Sequence, residues 1–369
     1  MYGPPTFPGG GCGGPRAAVP DTIVISIDAM GGDHGPPVVV PAVAIALGRM
    51  PGLKLRFLLF GDEAKLNEEL AKCPPAKAVC EVRPTTLVIG MEDKPAQALR
   101  RGKGSSLWNS VEAVKTSEAQ AAVSAGNTGA LMAISKLILR MVAKELDRPA
   151  IVASWPTLRG VSAVLDVGAN VSSDAAQLVE FAIMGQAFHR AVHGVAKPTV
   201  GLLNVGSEDQ KGNEEVREAH RLMRDGGLPI VYHGFVEGDD IAKGTVDVVV
   251  TDGFSGNIAL KTAEGMARFV RSLLRDAFTS TLRAKMGAVV AGPTLRKMMA
   301  RLDPASVNGG PLLGLNGIVV KSHGGADARS FANALVVAAN LAQSDYSTEI
   351  NQNMLRLAEV MGREMEGRA

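Results

Sequence analysis

The sequence predicts an α/β protein built on a doubly wound, mostly parallel sheet, and three observations predict it. Short β-branched runs alternate with longer amphipathic stretches from residue 21 onward, the pattern of strands joined by crossover helices. The loops after those strands concentrate glycine and asparagine, which let a chain turn sharply and approach a ligand closely. The composition, 46% hydrophobic and 21% charged over 369 residues, is globular and sufficient for a large core.

Composition also narrows the function. Aromatic residues make up 4% and the net charge is +2, so neither a stacking platform nor a global basic surface supports nucleic-acid binding. Cys12, Cys73 and Cys80 are widely spaced and form no CxxC pair. That pattern suits a reducing cytoplasm rather than a disulfide scaffold or zinc site. Residues 1–20 are rich in Gly and Pro and read as a disordered tail without the features of a signal peptide. Residues 21–350 read as one catalytic domain, and 351–369 as a helical tail. No uncharged apolar run reaches membrane-spanning length.

The first strand, Thr22–Ile27, ends in Asp28-Ala29-Met30-Gly31-Gly32-Asp33-His34, ahead of a helix over Val38–Met50. Two carboxylates and an imidazole thus gather at the carboxyl end of a strand, where open α/β sheets bind ligands. A strand over Lys54–Phe60 and a helix over Glu63–Lys72 follow. Arg100, Arg101 and Lys103 then precede a helix over Leu107–Thr116, with Ser105 or Ser106 as its cap. The strand Ala121–Ser124 leads into Ala125-Gly126-Asn127-Thr128-Gly129 and a helix over Gly129–Met141. Strands Ile151–Ser154 and Ala163–Val167 lead through Asp166–Asn170 to the helix Ala175–Val192. His189 and His193 on that helix lack an acidic companion and read as an ordinary helix face.

The strand Thr199–Asn204 continues into Asn204–Asn213, which carries Lys211, and a helix over Glu214–Asp225. Strands Ile230–His233 and Val246–Thr251 precede Asp252-Gly253-Phe254-Ser255-Gly256-Asn257, with Lys261 one turn into the helix Gly256–Ala277. The strand Ile318–Lys321 runs into Ser322-His323-Gly324-Gly325. Five such loops on one sheet edge, backed by helix N-termini, point to a phosphate or carboxylate site. No GxxxxGK[ST] motif occurs, so a P-loop is excluded.

Met266–Pro304 differs in character. Apolar residues recur at helical spacing, Gly292-Pro293 interrupts them, and eight Lys/Arg face two acidic residues. The pattern predicts a protruding basic amphipathic helical hairpin. Its base, around Phe269, Leu273 and Leu274, is expected to meet a partner subunit. Its tip, with Leu282, Met286, Val289, Val290 and Leu295 flanked by Arg283, Lys285, Arg296 and Lys297, is expected to touch an anionic membrane surface. Arg268, Arg271 and Arg275 are expected to receive an acidic protein partner.

Taken together in order and spacing, Asp28–His34, Arg100–Ser106, Ser124–Gly129, Arg148-Pro149-Ala150, Asp166–Asn170, Asn204–Asn213, Asp252–Lys261 and Lys321–Gly325 make residues 22–350 resemble the PlsX family of phosphate acyltransferases. The resemblance implies an isocitrate/isopropylmalate-dehydrogenase-like fold and a homodimer associated peripherally with the inner face of the cell membrane. It implies transfer of a long-chain acyl group from acyl-carrier protein to inorganic phosphate, with no cofactor and no metal. The acyl phosphate would serve phospholipid synthesis and pass to a membrane glycerol-3-phosphate acyltransferase. Two departures stand out: Asn308 precedes Gly309-Gly310 where the family often has an aromatic, and Gly325-Ala326 stands where it often has Ser after His-Gly.

The residues suit that chemistry. Gly126, Asn127, Thr128 and Gly129, with Lys211, are expected to bind phosphate. Asn170, Asn213, Asn257 and Lys261 are candidates for oxyanion and product contacts, and Arg100, Arg101 and Lys103 for anion contacts. His34 or His323 is expected to act as general base or proton donor, oriented by Asp33 or Asp252. Three rival readings are a short-chain phosphotransacetylase using acyl-CoA, a metal- and NAD-dependent decarboxylating dehydrogenase and a non-catalytic membrane adaptor. The dehydrogenase would need an Asp metal cluster that the sequence does not display. The adaptor would leave the loaded loops idle.

Overall fold

The computed structural model describes residues 22–144, 146, 148–301, 308–346, 348–355 and 357; the predicted 1–20 tail and residues 358–369 of the predicted 351–369 tail lie outside them. Among the described residues, eleven strands form one sheet. They are β1 (Ile23–Asp28), β2 (Leu55–Gly61), β3 (Cys80–Pro84), β4 (Ala121–Ser124), β5 (Ala150–Thr157), β6 (Gly160–Leu165), β7 (Thr199–Leu203), β8 (Val231–Val236), β9 (Val248–Val250), β10 (Gly310–Leu313) and β11 (Ile318–Lys321). Their order across the sheet is β3-β2-β1-β4-β11-β10-β5-β6-β9-β7-β8.

The two halves of this sheet run in opposite directions. β3, β2, β1, β4 and β11 are mutually parallel. β10 is antiparallel to both β11 and β5, and β5 is antiparallel to β6. β6, β9, β7 and β8 are parallel again but reversed relative to the first half. The loops after β1, β4 and β11 therefore leave one edge of the sheet, and those after β6, β7 and β9 leave the other. A single edge carrying all five loops, as the alternating pattern implied, is not what forms. The hairpins β5–β6 and β10–β11 cause the reversal. Gly310-Pro311 in β10 obscured one of them, because Gly and Pro weaken a strand pattern.

Helices cover both faces, as a parallel sheet with buried strands requires. Pro36–Arg49 and Ala328–Ala342 pack together over Ile23, Ile25 and Ile27 of β1, the first opened by prolines that need no intrahelical acceptor. Ser106–Lys115 and Thr128–Leu139 cover the opposite face through Leu107, Val111, Leu131 and Ile134. In the second half, Ala175–His193 is buried along most of its length. Asp174 and Gln177 form a capping box at its start, and Gly194 closes it at φ 72°. His189 is buried and His193 half-buried, with Nε2 of each facing Val161 O and Ser154 Oγ and Asp247 as the acidic group acting on both. Residues 348–355 are helical and bury Ile350 and Met354 in the same core, with an Arg190–Glu349 ion pair beside them, so the core continues past residue 350.

Two long helices, Gly253–Thr279 and Leu282–Arg301, stand off the sheet and pack on one another. The break between them lies at Ser280–Thr281, not at Gly292-Pro293; Pro293 sits inside the second helix. Thr281 explains the position. Its hydroxyl accepts from Ala284 N and its carbonyl from Lys285 N, which starts a new helix there. At its root the first helix is wedged tightly. A Cβ on Gly256 would collide with the Asp166 carbonyl oxygen, and one on Gly253 with that of Asn170. Gly256→Ala is therefore expected to cost about 1–3 kcal/mol or more by overpacking. Chemical denaturation checks this, and an unchanged midpoint would show that the contact can relax freely.

Candidate active site

At the first edge, the end of β1 is tied to the end of β4. Asp28 is 2% exposed, and its Oδ2 accepts a hydrogen bond from Ser124 Oγ at 2.7 Å. Ser124 Oγ in turn accepts from Gly126 N at 2.9 Å. Burial pushes the Asp28 carboxyl above the ordinary carboxylate range. Contacts with Ser106, Ser124, the Met30 amide and Lys321 oppose the shift. From the end of β11, Lys321 Nζ donates to the carbonyls of Ala125 (2.9 Å), Gly126 (2.5 Å) and Ser322 (2.7 Å). Burial lowers its pKa to about 8 against the attraction of Asp28 and Asp33.

The glycine pair brings these loops into contact. Gly32, at φ 84°, lies so close to Gly324 that a Cβ would stand 2.8 Å from its carbonyl oxygen. Asp33 N donates to that same carbonyl at 2.9 Å. Asp33 and His34 are exposed. His323 is exposed too, and its Nδ1 accepts from Gly325 N at 3.2 Å, which leaves the proton on Nε2. Asn308 holds the His323 loop: Oδ1 accepts from His323 N, while Nδ2 donates to Ser322 Oγ and Ser330 O. Beside Met30 an open groove of about 890 Å³ runs past Pro84, Thr85, Thr86, Val88 and Gly104.

Asn127 opens the helix Thr128–Leu139. Its Oδ1 accepts from Ala130 N at 2.9 Å, and its Nδ2 donates to Met91 O (2.6 Å) and Asp93 O (2.9 Å). The side chain assigned to phosphate is thus spent on capping and on holding the 91–93 loop. What remains for an anion is the helix start itself, where the amides of Thr128 and Gly129 have no intrahelical acceptor.

The second edge is organised around Asp166, which is fully buried. Oδ1 accepts from the amides of Ile151, Gly168 and Ala169, and Oδ2 from the amide and side chain of Asn170. Burial raises its pKa, and those hydrogen bonds oppose the rise. The loop expected to cradle a ligand anion holds its own carboxylate instead. Asn170, expected at the substrate, is 2% exposed and donates to Pro149 O and Asp166 Oδ2, so both amide hydrogens are occupied.

Asp252 caps Gly253–Thr279 through Ser255 N and Ser255 Oγ. It therefore does not orient His323, which belongs to the other edge. Asn213 caps Glu214–Asp225 through Val216 N. Asn257 is exposed next to Gly168, Lys211 is exposed beside Gly206, and Lys261 pairs with Glu264 at 3.0 Å. Arg100, Arg101 and Lys103 are exposed around the end of the helix Pro95–Arg101. The structure thus brings the loops of Asp33 and His323 into contact with Ala125-Gly126, ahead of the helix that starts at Thr128. No described hydrogen bond joins them to Lys211, Asn213, Asp252, Asn257 or Lys261. Asp28, Ser124, Lys321 and Asn308 complete the first edge without having been assigned a role. Asp28, Ser124 and Lys321 stand within the conspicuous motifs, and Asn308 stands at the departure before the glycine pair.

Among the described residues, no group of three or more His, Cys, Asp or Glu is placed to hold a metal. A protein family described as "fatty acid synthesis protein" matches residues 23–349. A phosphate acyltransferase of Caulobacter vibrioides is 68% identical over 336 residues, covering 91% of this chain and 92% of that protein. One from Phenylobacterium zucineum is 61% identical over 336 residues, covering 91% and 95%. The chain belongs to the PlsX family of phosphate acyltransferases. As a family member it is an acyltransferase. Its fold is shared with a phosphotransacetylase from Streptococcus pyogenes at TM-score 0.59 and 18% identity, covering 88% of this chain and 95% of that one.

Lys321 gives the site a pH signature. The folded protein releases this proton near pH 8, whereas an unfolded chain holds it until about 10.4. The buried charge costs stability below pH 8, and the contribution of this group to stability rises with pH across that window. Over the same window the clamp on Ala125 and Gly126 loses a donor proton. Phosphate-dependent turnover is expected to fall along an alkaline limb near pH 8 while the melting temperature does not fall with it. A pH–rate profile that stays flat to about pH 9.5 would detach Lys321 from turnover.

Proposed function

We propose that this protein transfers a long-chain acyl group from acyl-carrier protein to inorganic phosphate, giving acyl phosphate for phospholipid synthesis. The observation that carries the reading is the first edge, where the loop of His323 meets Ala125-Gly126 just ahead of the helix start that leaves the Thr128 and Gly129 amides without an intrahelical acceptor. Phosphate is the nucleophile and needs chiefly to be held and oriented. One of its oxygens attacks the thioester carbonyl, the carbon–sulfur bond breaks, and the thiolate departs with the carrier. The Nε2–H of His323 donates to the developing charge, a contact whose loss typically costs roughly 2.7–4 kcal/mol of barrier. In this tautomer His323 acts as a donor rather than a base. The groove beside Met30 offers room for the thioester arm.

The protruding hairpin supports the rest of the reading. Phe269 and Leu273 are 55% and 52% exposed along the first helix, a face suited to a second copy of the chain. Leu282, Met286, Val289 and Val290 are 60–84% exposed on the second helix, while Leu295 is half-buried. The side chains of Arg296 and Lys297 lie outside the described ones. No helix among the described residues is long and apolar enough to cross a membrane. An interfacial contact with an anionic leaflet is the use that fits, and it would hold the acyl phosphate near a membrane glycerol-3-phosphate acyltransferase. Arg268, Arg271 and Arg275 are exposed and available to the acidic carrier protein. Lys211, Asn257 and Lys261 leave the other edge of the sheet, so the product contacts expected of them do not belong to this site.

Release of free carrier thiol from palmitoyl-carrier protein is expected to require phosphate and to survive a chelator. Thiol release at the same rate without phosphate, or complete loss on chelation with recovery on magnesium, would reject the reading. Val289→Glu with Val290→Glu is expected to release the protein from anionic vesicles while soluble turnover stays near normal. A double variant that still floats with vesicles would move the membrane contact elsewhere.

A further inference from the structure

The environment of Asp28, at the end of β1, is unusual. It is 2% exposed, and Oδ1 has no hydrogen-bond partner. The Ser106 hydroxyl is buried near it, close enough to oppose the effect of burial on the carboxyl though not to form a close hydrogen bond. Oδ2 reaches Gly126 N through a single hydroxyl, with Ser124 at 2.7 Å from the carboxylate and 2.9 Å from the amide. The Ala125–Gly126 segment is therefore gripped twice, by Lys321 on its carbonyls and by Asp28 through Ser124 on its amide. Gly31 is what permits the approach. A Cβ there would run into Asp28 Oδ2 and stand 2.7 Å from Gly126 N.

We propose that Asp28, acting through Ser124, is a positioning residue for phosphate, setting the Gly126 amide and with it the amides of Thr128 and Gly129. The inference rests on the functional reading above for its ligand, inorganic phosphate. Asn127 anchors the far side of the same turn by capping the helix, so the relay decides where the near side lies. Electrostatics are compatible with this task. A charged carboxylate beside an anion site would repel phosphate, and burial pushes the Asp28 carboxyl above the ordinary carboxylate range, which eases that repulsion.

Calorimetric titration with inorganic phosphate tests the relay on the resting protein, alongside separate KM values for phosphate and acyl-carrier protein. Ser124→Ala removes one oxygen and is expected to weaken phosphate binding about tenfold or more with little change in KM for the carrier, and to lower the melting temperature only as far as the lost hydrogen bonds of Asp28 and the Gly126 amide require. Asp28→Ala is expected to do the same, and adding it to Ser124→Ala to do little further, because both break one relay. Asp28→Asn keeps an oxygen acceptor for the Ser124 hydroxyl and is expected to recover most of what Asp28→Ala loses. Unchanged phosphate affinity in Ser124→Ala would overturn the proposal. So would an equal rise in both KM values with a lowered melting temperature, the mark of a merely structural role. Should the wild type bind phosphate but form no acyl phosphate, the functional reading fails, while the variants' calorimetry still decides the relay.

Discussion

A carboxylate taken out of water must be hydrogen-bonded or neutralised, and two such groups at opposite edges of one sheet organise the loops of this protein. Asp166 is satisfied lavishly. Four backbone amides and the Asn170 side chain converge on it, and the surrounding loop closes around its own anion. Asp28 is satisfied more sparingly, with one close hydrogen bond from Ser124, weaker contacts with Ser106 and the Met30 amide, and Lys321 acting on the adjacent carbonyls. The helix start beside Asp28 therefore keeps amides free for a ligand, whereas the loop around Asp166 has few to offer. That contrast favours the first edge for the proposed phosphate site.

The same accounting explains the asparagines and aspartates of the loops. A helix that starts where a strand has just ended leaves its first amides unsatisfied, and a short polar side chain satisfies them most simply. Asn127, Asn213 and Asp252 all do this. Their residue types suited both capping and ligand contact, and the choice depended on where the backbone placed them. Glycine has the complementary task. Gly31 and Gly32 near Gly126 and Gly324, and Gly253 and Gly256 against the Asp166 loop, let main chains approach more closely than any Cβ allows.

The hairpin obeys a different constraint. Of the 27 residues in its first helix only Gly253 and Gly256 are buried, so the fold gains little from the remainder. A long amphipathic helix with its apolar face in water calls for another surface, whether a subunit or a leaflet. Its division at Thr281 shows a local capping preference outweighing the apparent break at Gly292-Pro293, because a hydroxyl that caps defines a helix start more sharply than a proline within a helix defines an end.

Much was legible in the sequence because it depends on local physics. The β-branched run of β1, the Ala121–Ser124 strand, the Glu63–Lys72 and Glu214–Asp225 helices and the glycine-rich loops after the strands follow from periodicity and turn chemistry. So did the gathering of Asp33, His323 and Gly126–Gly129 as a candidate site. The direction of the second half of the sheet was not legible. It depends on β10, turned back beside β11 by a short hairpin, pairing antiparallel with β5 across a long stretch of chain, and no local pattern encodes a partner so distant. For the same reason the sequence alone could mark Asn127, Asn170 and Asp252 as polar loop residues, but only the tertiary structure decided that their hydrogen bonds go to the protein itself. A side chain's chemistry is set by its residue type. Whether that chemistry is available depends on the groups that long-range packing brings within hydrogen-bonding distance.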